Sequence, residues 1–189
     1  MPAKEWDPGL TGSERAELLK IARDTLVWCT GGDAGQFNFG KYLITAPLCE
    51  KYATFVTLHQ ASDLRGCIGS LEPEAELYRS VHDNTINAAL RDFRFPSVSP
   101  DEVSSIHIAV SILSPIKPVS GVEEFEVGRD GIIMEKGMHR AVFLPEVATE
   151  QGWTREDTLS HLSSKAGLRP DAWRDGCRFL VFQSFKLEE

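Results

Sequence analysis

The stretch "DGIIMEKGMHRAVFLP", residues 130–145, decides the fold class. Lys136-Gly137 sits where a β-hairpin between two apolar runs would turn, and Pro145 fits the first position of a helix. The rest of the chain interleaves strands and helices, which taken alone would suggest βαβ units. A hairpin at this point breaks that rhythm, because hairpin partners pair antiparallel and need no crossover. The chain therefore reads as α+β with a mostly antiparallel sheet.

Working outward from the hairpin, Thr154 and Asp157 form a capping signature ahead of Leu159, Leu162 and Ala166, with Gly167 and Pro170 as the stop. The chain closes on "RFLVFQSF", residues 178–185, read as one strand. Upstream, Ile106, Ile108, Val110 and Ile112 alternate with His107, Ala109 and Ser111, the pattern of a strand. Between these elements "SPIKPVSG", residues 114–121, is either a linker or an irregular crossover. Beyond Pro73, residues Leu77, Tyr78, Val81, Thr85, Ala88 and Ala89 share one face of a helix whose other side carries Ser80, Asn84, Asn87 and Arg91. Ala53–His59 reads as a strand covered on both faces, and Leu64–Ser70 as its partner. Thr11 and Glu14 form a capping box opening a helix that stops at Gly31-Gly32; the stretch holding Gly35, Gly40 and Pro47 is a loop. Residues 1–12 read as a flexible lead-in and 13–189 as a single domain.

The 189 residues are 42% hydrophobic and 25% charged, enough for one substantial core or two small lobes. A net charge of −8 and the absence of any basic run argue against general nucleic-acid binding. No apolar run approaches the roughly 20 residues that span a bilayer, and the N-terminus has no apolar core of a secretory signal. A cytoplasmic location is the expectation, with no membrane partner. Cys29, Cys49, Cys67 and Cys177 include no C-x-x-C pair, and no two of the five histidines share metal-ligand spacing, so no metal site is expected; reduced thiols are the expectation, with an even count leaving disulfides formally open. Phosphate-loop and nucleophile-elbow signatures are missing, and nothing points to a cofactor.

The segment "SDLRGCIGS", residues 62–70, holds the residues most suited to chemistry. In an extended chain Arg65, Cys67 and Gly69 share one face, and a guanidinium beside a thiol favours the reactive thiolate. Gly66 and Gly69 weaken a strand unless something approaches closely. His59, on the preceding strand, is a candidate base across the hairpin. The structural alternative is a buried cysteine with Arg65 paired to a carboxylate. A second cluster, "RDFRFPS" at 91–97, is either an anion clamp built on its arginines or an internal Arg–Asp pair pinning a loop.

These blocks, with "VGRDGIIMEKG", "AVFLPEVATEQGWT" and "SKAGL" followed by Trp173, resemble the AMMECR-type family, whose bacterial members are called AmmeMemoRadiSam system protein A. The blocks stand in the family's order from about residue 13 onward. Leu64-Arg65-Gly66-Cys67-Ile68-Gly69 is its signature; Asp92, Arg94, Phe95 and Pro96 match its D-x-R-F-P block, and Lys165-Ala166-Gly167-Leu168 its K-A-G-L block. Ser97 stands where the family usually has a second proline, and Arg129-Asp130 precede Gly131 where a histidine is common. The resemblance implies duplicated three-strand, two-helix repeats sharing a barrel-like sheet, in two unequal lobes with a cleft. It also implies a pathway shared with Memo-like and radical-SAM proteins. Two functional expectations follow. In one the protein is an accessory component that binds a small ligand or a partner, with Arg65, Gly66, Gly69, Asp92, Arg94 and Lys165 as binding residues. In the other it is an enzyme with Cys67 as nucleophile, activated by Arg65. A third reading makes the signature purely structural, through an Arg65–Asp92 pair.

Overall fold

A computed structural model describes residues 6–32 and 35–189. In chain order the elements are α1 (Gly12–Thr30), β1 (Thr54–Gln60), β2 (Asp63–Gly69), α2 (Leu77–Leu90), β3 (Ile106–Leu113), β4 (Lys117–Val119), β5 (Gly131–Lys136), β6 (His139–Phe143), α3 (Pro145–Glu150), α4 (Arg155–Lys165), β7 (Arg178–Phe182) and β8 (Ser184–Glu188). The chain divides into two compact units, one of Asp7–Leu113 with Phe185–Glu189 and one of Ser114–Ser184 with Trp6.

In the first unit the sheet order is β2-β1-β3-β8, with β1 antiparallel to both β2 and β3. Thr11 caps α1 as expected: its hydroxyl accepts from the Glu14 N–H, and Glu14 accepts from the Thr11 N–H at 2.8 Å. Residues 1–5 of the expected lead-in lie outside the described residues, and Leu10 is already buried. Leu18, Ile21, Leu26, Val56, Leu58, Leu77, Val81 and Ile108 make the core. The side of α2 that periodicity assigns to solvent is partly buried. Ser80 and Asn84 form a closed polar network with Thr54: the two hydroxyls are 2.7 Å apart, and the Asn84 amide donates to the Thr54 hydroxyl and carbonyl. Hydrogen-bonded to one another in this way, three polar side chains sit inside.

The second unit carries the hairpin that decided the fold class. β5 and β6 pair antiparallel around Gly137, whose φ of 59° is readily adopted by glycine, and Pro145 opens α3. Its sheet order is β6-β5-β7-β4, over a core of Phe125, Ile132, Met134, Leu159, Leu162 and Phe179. "SPIKPVSG" contains a short strand, and Pro118 is tolerated there because β4 is at an edge.

The α+β class and the antiparallel pairing agree with the sequence reading. Instead of one barrel-like sheet the described residues form two four-stranded sheets, and neither closes. The implied duplication is visible in strand order: a hairpin, then helix, then a third strand on the far side of the hairpin's first strand, giving β2-β1-β3 and β6-β5-β7. The fourth strands are exchanged, since β4 follows β3 but pairs with β7, and β8 follows β7 but lies beside β3. "RFLVFQSF" is thus two strands. The break falls at Gln183, whose backbone N–H donates to the Ser114 hydroxyl and whose carbonyl accepts from the Ser114 N–H, both at 2.8 Å. A residue with both backbone groups spent on Ser114 continues no ladder.

Candidate functional site

The Leu64–Gly69 signature is most of β2, which is the edge strand of its sheet. Cross-strand register places Phe55 opposite Gly69 and Thr57 opposite Cys67, so Cys67 and Gly69 share a face, but the register shifts by one residue at Arg65, which has no partner on β1, and the anticipated two-residue period does not run on through it. Both glycines have a steric reason. A Cβ on Gly66 would stand 2.2 Å from the Ala88 carbonyl oxygen of α2, and one on Gly69 would stand 2.3 Å from the Thr54 carbonyl oxygen and the Phe55 ring. These glycines therefore let strand, helix and ring approach one another, a packing role.

An edge strand leaves backbone groups without a ladder partner. At Cys67 the loop after α2 supplies them. The Cys67 N–H donates to Asp92 Oδ2 at 2.9 Å, and the Cys67 carbonyl accepts from Arg94 Nη2 at 3.1 Å. Asp92 and Arg94 are in turn locked together, by Nε to Oδ1 at 2.9 Å and Nη2 to Oδ2 at 2.6 Å. Asp92 is 4% exposed, and its hydrogen bonds from Arg94, ahead of that from the Cys67 N–H, bring its carboxyl down to about 2 against the opposing effect of burial. The D-x-R-F-P block thus stands in for a missing neighbouring strand, an acceptor and a donor at one residue's spacing.

Arg65 makes a separate pair. Its Nε and Nη2 donate to the two carboxylate oxygens of Glu102 at 2.8 and 3.2 Å, and Nη1 donates to the Pro96 carbonyl at 2.8 Å. Glu102 also accepts from the Ser99 N–H, and these bonds, Arg65's first, lower its carboxyl to about 2. One expectation is corrected here: the expected Arg65–Asp92 pair is two pairs, Arg65–Glu102 and Arg94–Asp92. Arg65 is committed to Glu102 and the Pro96 carbonyl, in the loop at 96–102, while the Arg94 guanidinium reaches the Cys67 carbonyl.

The Cys67 thiol is half-buried, and the Thr57 hydroxyl donates to its Sγ at 3.3 Å. His59 does not take the place of a base opposite Cys67. A register shift between Leu58 and His59 puts it across from Leu64 on β2 and His107 on β3. Lys165 belongs to the second unit, where its ammonium donates to the Val142 carbonyl at 2.9 Å and lies 4.7 Å from the centre of the Phe143 ring. The structure therefore brings together Arg65, Gly66, Cys67, Gly69, Asp92 and Arg94 in the first unit.

Sequence reasoning missed Glu102 and Thr57. Glu102 carried a legible signal, since Ser99-Pro100-Asp101-Glu102 is a capping box that holds the carboxylate at the start of a 3-10 turn. Thr57 carried none, because its role depends on strand register. Ser97, the departure from the family pattern, donates to the Leu90 carbonyl at 3.4 Å, and Arg129-Asp130 form a close ion pair before Gly131. Among the described residues no group of three His, Cys, Asp or Glu could hold a metal ion, and no helix is long and apolar enough to cross a membrane.

A repeated hairpin–helix–strand architecture with a clamped L-R-G-C-I-G edge defines an α+β protein of one recognisable kind. The chain belongs to the AMMECR1 family, whose profile matches residues 19–187. Protein MJ0810 of Methanocaldococcus jannaschii is 44% identical over 149 residues, covering 74% of each chain. A protein of Methanosarcina mazei is 35% identical over 95% of this chain and 94% of its own. Among solved structures, uncharacterized protein PH0010 from Pyrococcus horikoshii superposes with a TM-score of 0.82 at 33% identity, over 91% of this chain and 89% of that one.

Proposed function

We propose that the protein is a binding or accessory component whose recognition surface is the Cys67 edge of β2 together with its clamp, residues 92–96. The observation that carries this reading is how the motif's charges are used. Arg65 is held by Glu102 and Arg94 by Asp92, so both cations are engaged in fixing the edge, while Phe93, between Asp92 and Arg94, is 94% exposed. Leu64, at the start of the motif, is 39% exposed. An exposed aromatic on a rigidly fixed loop has the character of an interface anchor, since ordering it costs little further entropy. The family resemblance suggests the partners: a Memo-like protein or a radical-SAM enzyme of a shared pathway.

Calorimetric titration of the full chain with each of these two proteins tests the reading. Phe93→Ala is expected to weaken binding by about tenfold or more with an unchanged melting temperature, as for a truncated anchor. Cys67→Ala is expected to keep binding. Neither protein binding, or Phe93→Ala binding as well as the parent, would remove this reading.

A second reading, Cys67 as a nucleophile, is favoured by the Thr57 hydroxyl on Sγ and by the coupling of Cys67 to Arg94. It expects Cys67 to react with a thiol probe at neutral pH faster than a free model thiol. It also expects Cys67→Ala to abolish pathway function while binding and folding persist.

A further inference from the structure

A cavity of about 480 Å³ lies in the first unit, at the C-terminal end of α1 and away from the motif. Asp24, Val27, Trp28 and Gly31 line it from the helix, and Phe37 and Lys41 from the segment that follows. The polar groups around it have an unusual arrangement. The Lys41 ammonium pairs with Asp24 Oδ2 at 2.9 Å and lies 5.8 and 5.1 Å from the centres of the Phe37 and Tyr42 rings. Tyr42 donates its hydroxyl to the same oxygen at 2.7 Å. An ammonium held by a carboxylate and flanked by aromatic rings is the arrangement by which proteins recognise organic cations. Here the chain's own lysine occupies it.

We infer that this cavity is a site for a small organic ammonium ion, and that Lys41 is its internal competitor. Three observations favour a cation over an anion. The bonds from Lys41 and Tyr42 to Asp24 both end on Oδ2, leaving Oδ1 without an acceptor role among the described residues, on a side chain that is 31% exposed. The cavity opens on the last turn of a 19-residue helix that has no basic residue in that turn, so the negative end of the helix dipole is not offset from within. Lys41 itself is 51% exposed, so its ion pair with Asp24 is of the weak, solvent-screened kind that a competing cation can replace. An anionic ligand would have to approach Asp24 and the helix carbonyls. The alkyl part of a bound amine would lie against Trp28, Phe37 and Val27, of which Val27 is 52% exposed in the free protein.

The competitor gives the test its sign. The full chain is titrated with n-butylammonium chloride, with sodium butyrate as the anionic counterpart, and binding is followed by the NMR signal of the Trp28 indole N–H, assigned with Trp28→Phe. Saturable binding of butylammonium with a Kd on the order of millimolar is expected, as suits so small a ligand. Lys41→Met is expected to tighten it by several-fold, and Asp24→Asn to weaken it by about tenfold, the size of a partly exposed charge and ring interaction. Butyrate is expected to leave the signal unmoved. The inference fails if butylammonium does not saturate, if butyrate binds in its place, or if Lys41→Met weakens binding. The Lys41 variant keeps the test decisive should Asp24→Asn lower stability, and neither change touches the edge at Cys67, so failure here leaves the accessory-component reading intact.

Discussion

Asp92 Oδ2 accepts the backbone N–H of Cys67 at 2.9 Å, and through that bond the helix-to-strand loop closes the open edge of the sheet. The bond joins two blocks 25 residues apart in sequence, and it explains why an aspartate and an arginine occur with one residue between them. Asp92 faces the amide and Arg94 the carbonyl of one residue on a bare strand.

This arrangement makes stability sensitive to acid. The Asp92 carboxyl titrates near 2 in the folded protein and near its ordinary 3.8 when unfolded, and Glu102 falls to about 2 from 4.5. Between those values the unfolded chain binds more protons, so the stabilisation is fully present above about pH 5 and is lost as pH falls toward 2. For nearly buried Asp92 the contribution at neutral pH is about 2 kcal/mol. Urea melts of Asp92→Asn from pH 7 to pH 3 are expected to show a shallower decline than the parent; an equally steep decline would remove Asp92 from the acid response.

Gly66 and Gly69 are expected to tolerate no side chain. A Cβ at Gly66 meets backbone, the Ala88 carbonyl, which moves only if α2 moves. Overpacking of this kind costs about 1–3 kcal/mol or more, and each kcal/mol moves Tm by about 2–4 °C in a chain of this size. Thermal melts of Gly66→Ala should show a loss of several degrees. Gly137→Ala, where no atom lies within 4 Å of the added Cβ but φ is 59°, measures the separate effect of backbone strain.

Arg65 and Glu102 should behave as a coupled pair. Their side chains are 13% and 26% exposed, and the contact uses both carboxylate oxygens. Removing either partner is expected to destabilise by about 1–3 kcal/mol, and the double variant by less than the sum. Additive losses in a double-mutant cycle would show that Arg65 acts chiefly through the Pro96 carbonyl.

Among the four free thiols, reactivity should follow exposure and burial. Cys29 has its thiol pushed up to about 11 by burial, leaving about a thousandth as thiolate at pH 8, and burial also raises Cys177. Cys49 is exposed. Mass-spectrometric timing of alkylation at pH 8 is expected to find Cys49 modified well before Cys29 and Cys177. Early modification of Cys29 would mean that the end of α1 opens in solution.

Local sequence was sufficient for the elements and their class. The capping boxes at Thr11 and Thr154, the turn at Gly137 and the alternation through Ile106–Ile112 each act within a few residues, so their energetics are written in adjacent positions. The common face of Cys67 and Gly69 followed from strand periodicity for the same reason. Partner choice did not. That Arg65 takes Glu102, that Arg94 takes Asp92 and the Cys67 carbonyl, and that Thr57 lies opposite the sulfur depend on register and on where a loop of the chain returns to an edge. The split of "RFLVFQSF" depends on Ser114, 69 positions away, drawing both backbone groups of Gln183 out of the ladder. Spacing along the chain specifies which faces side chains occupy, but hydrogen bonds form across space, and only the folded chain decides which carboxylate reaches which cation.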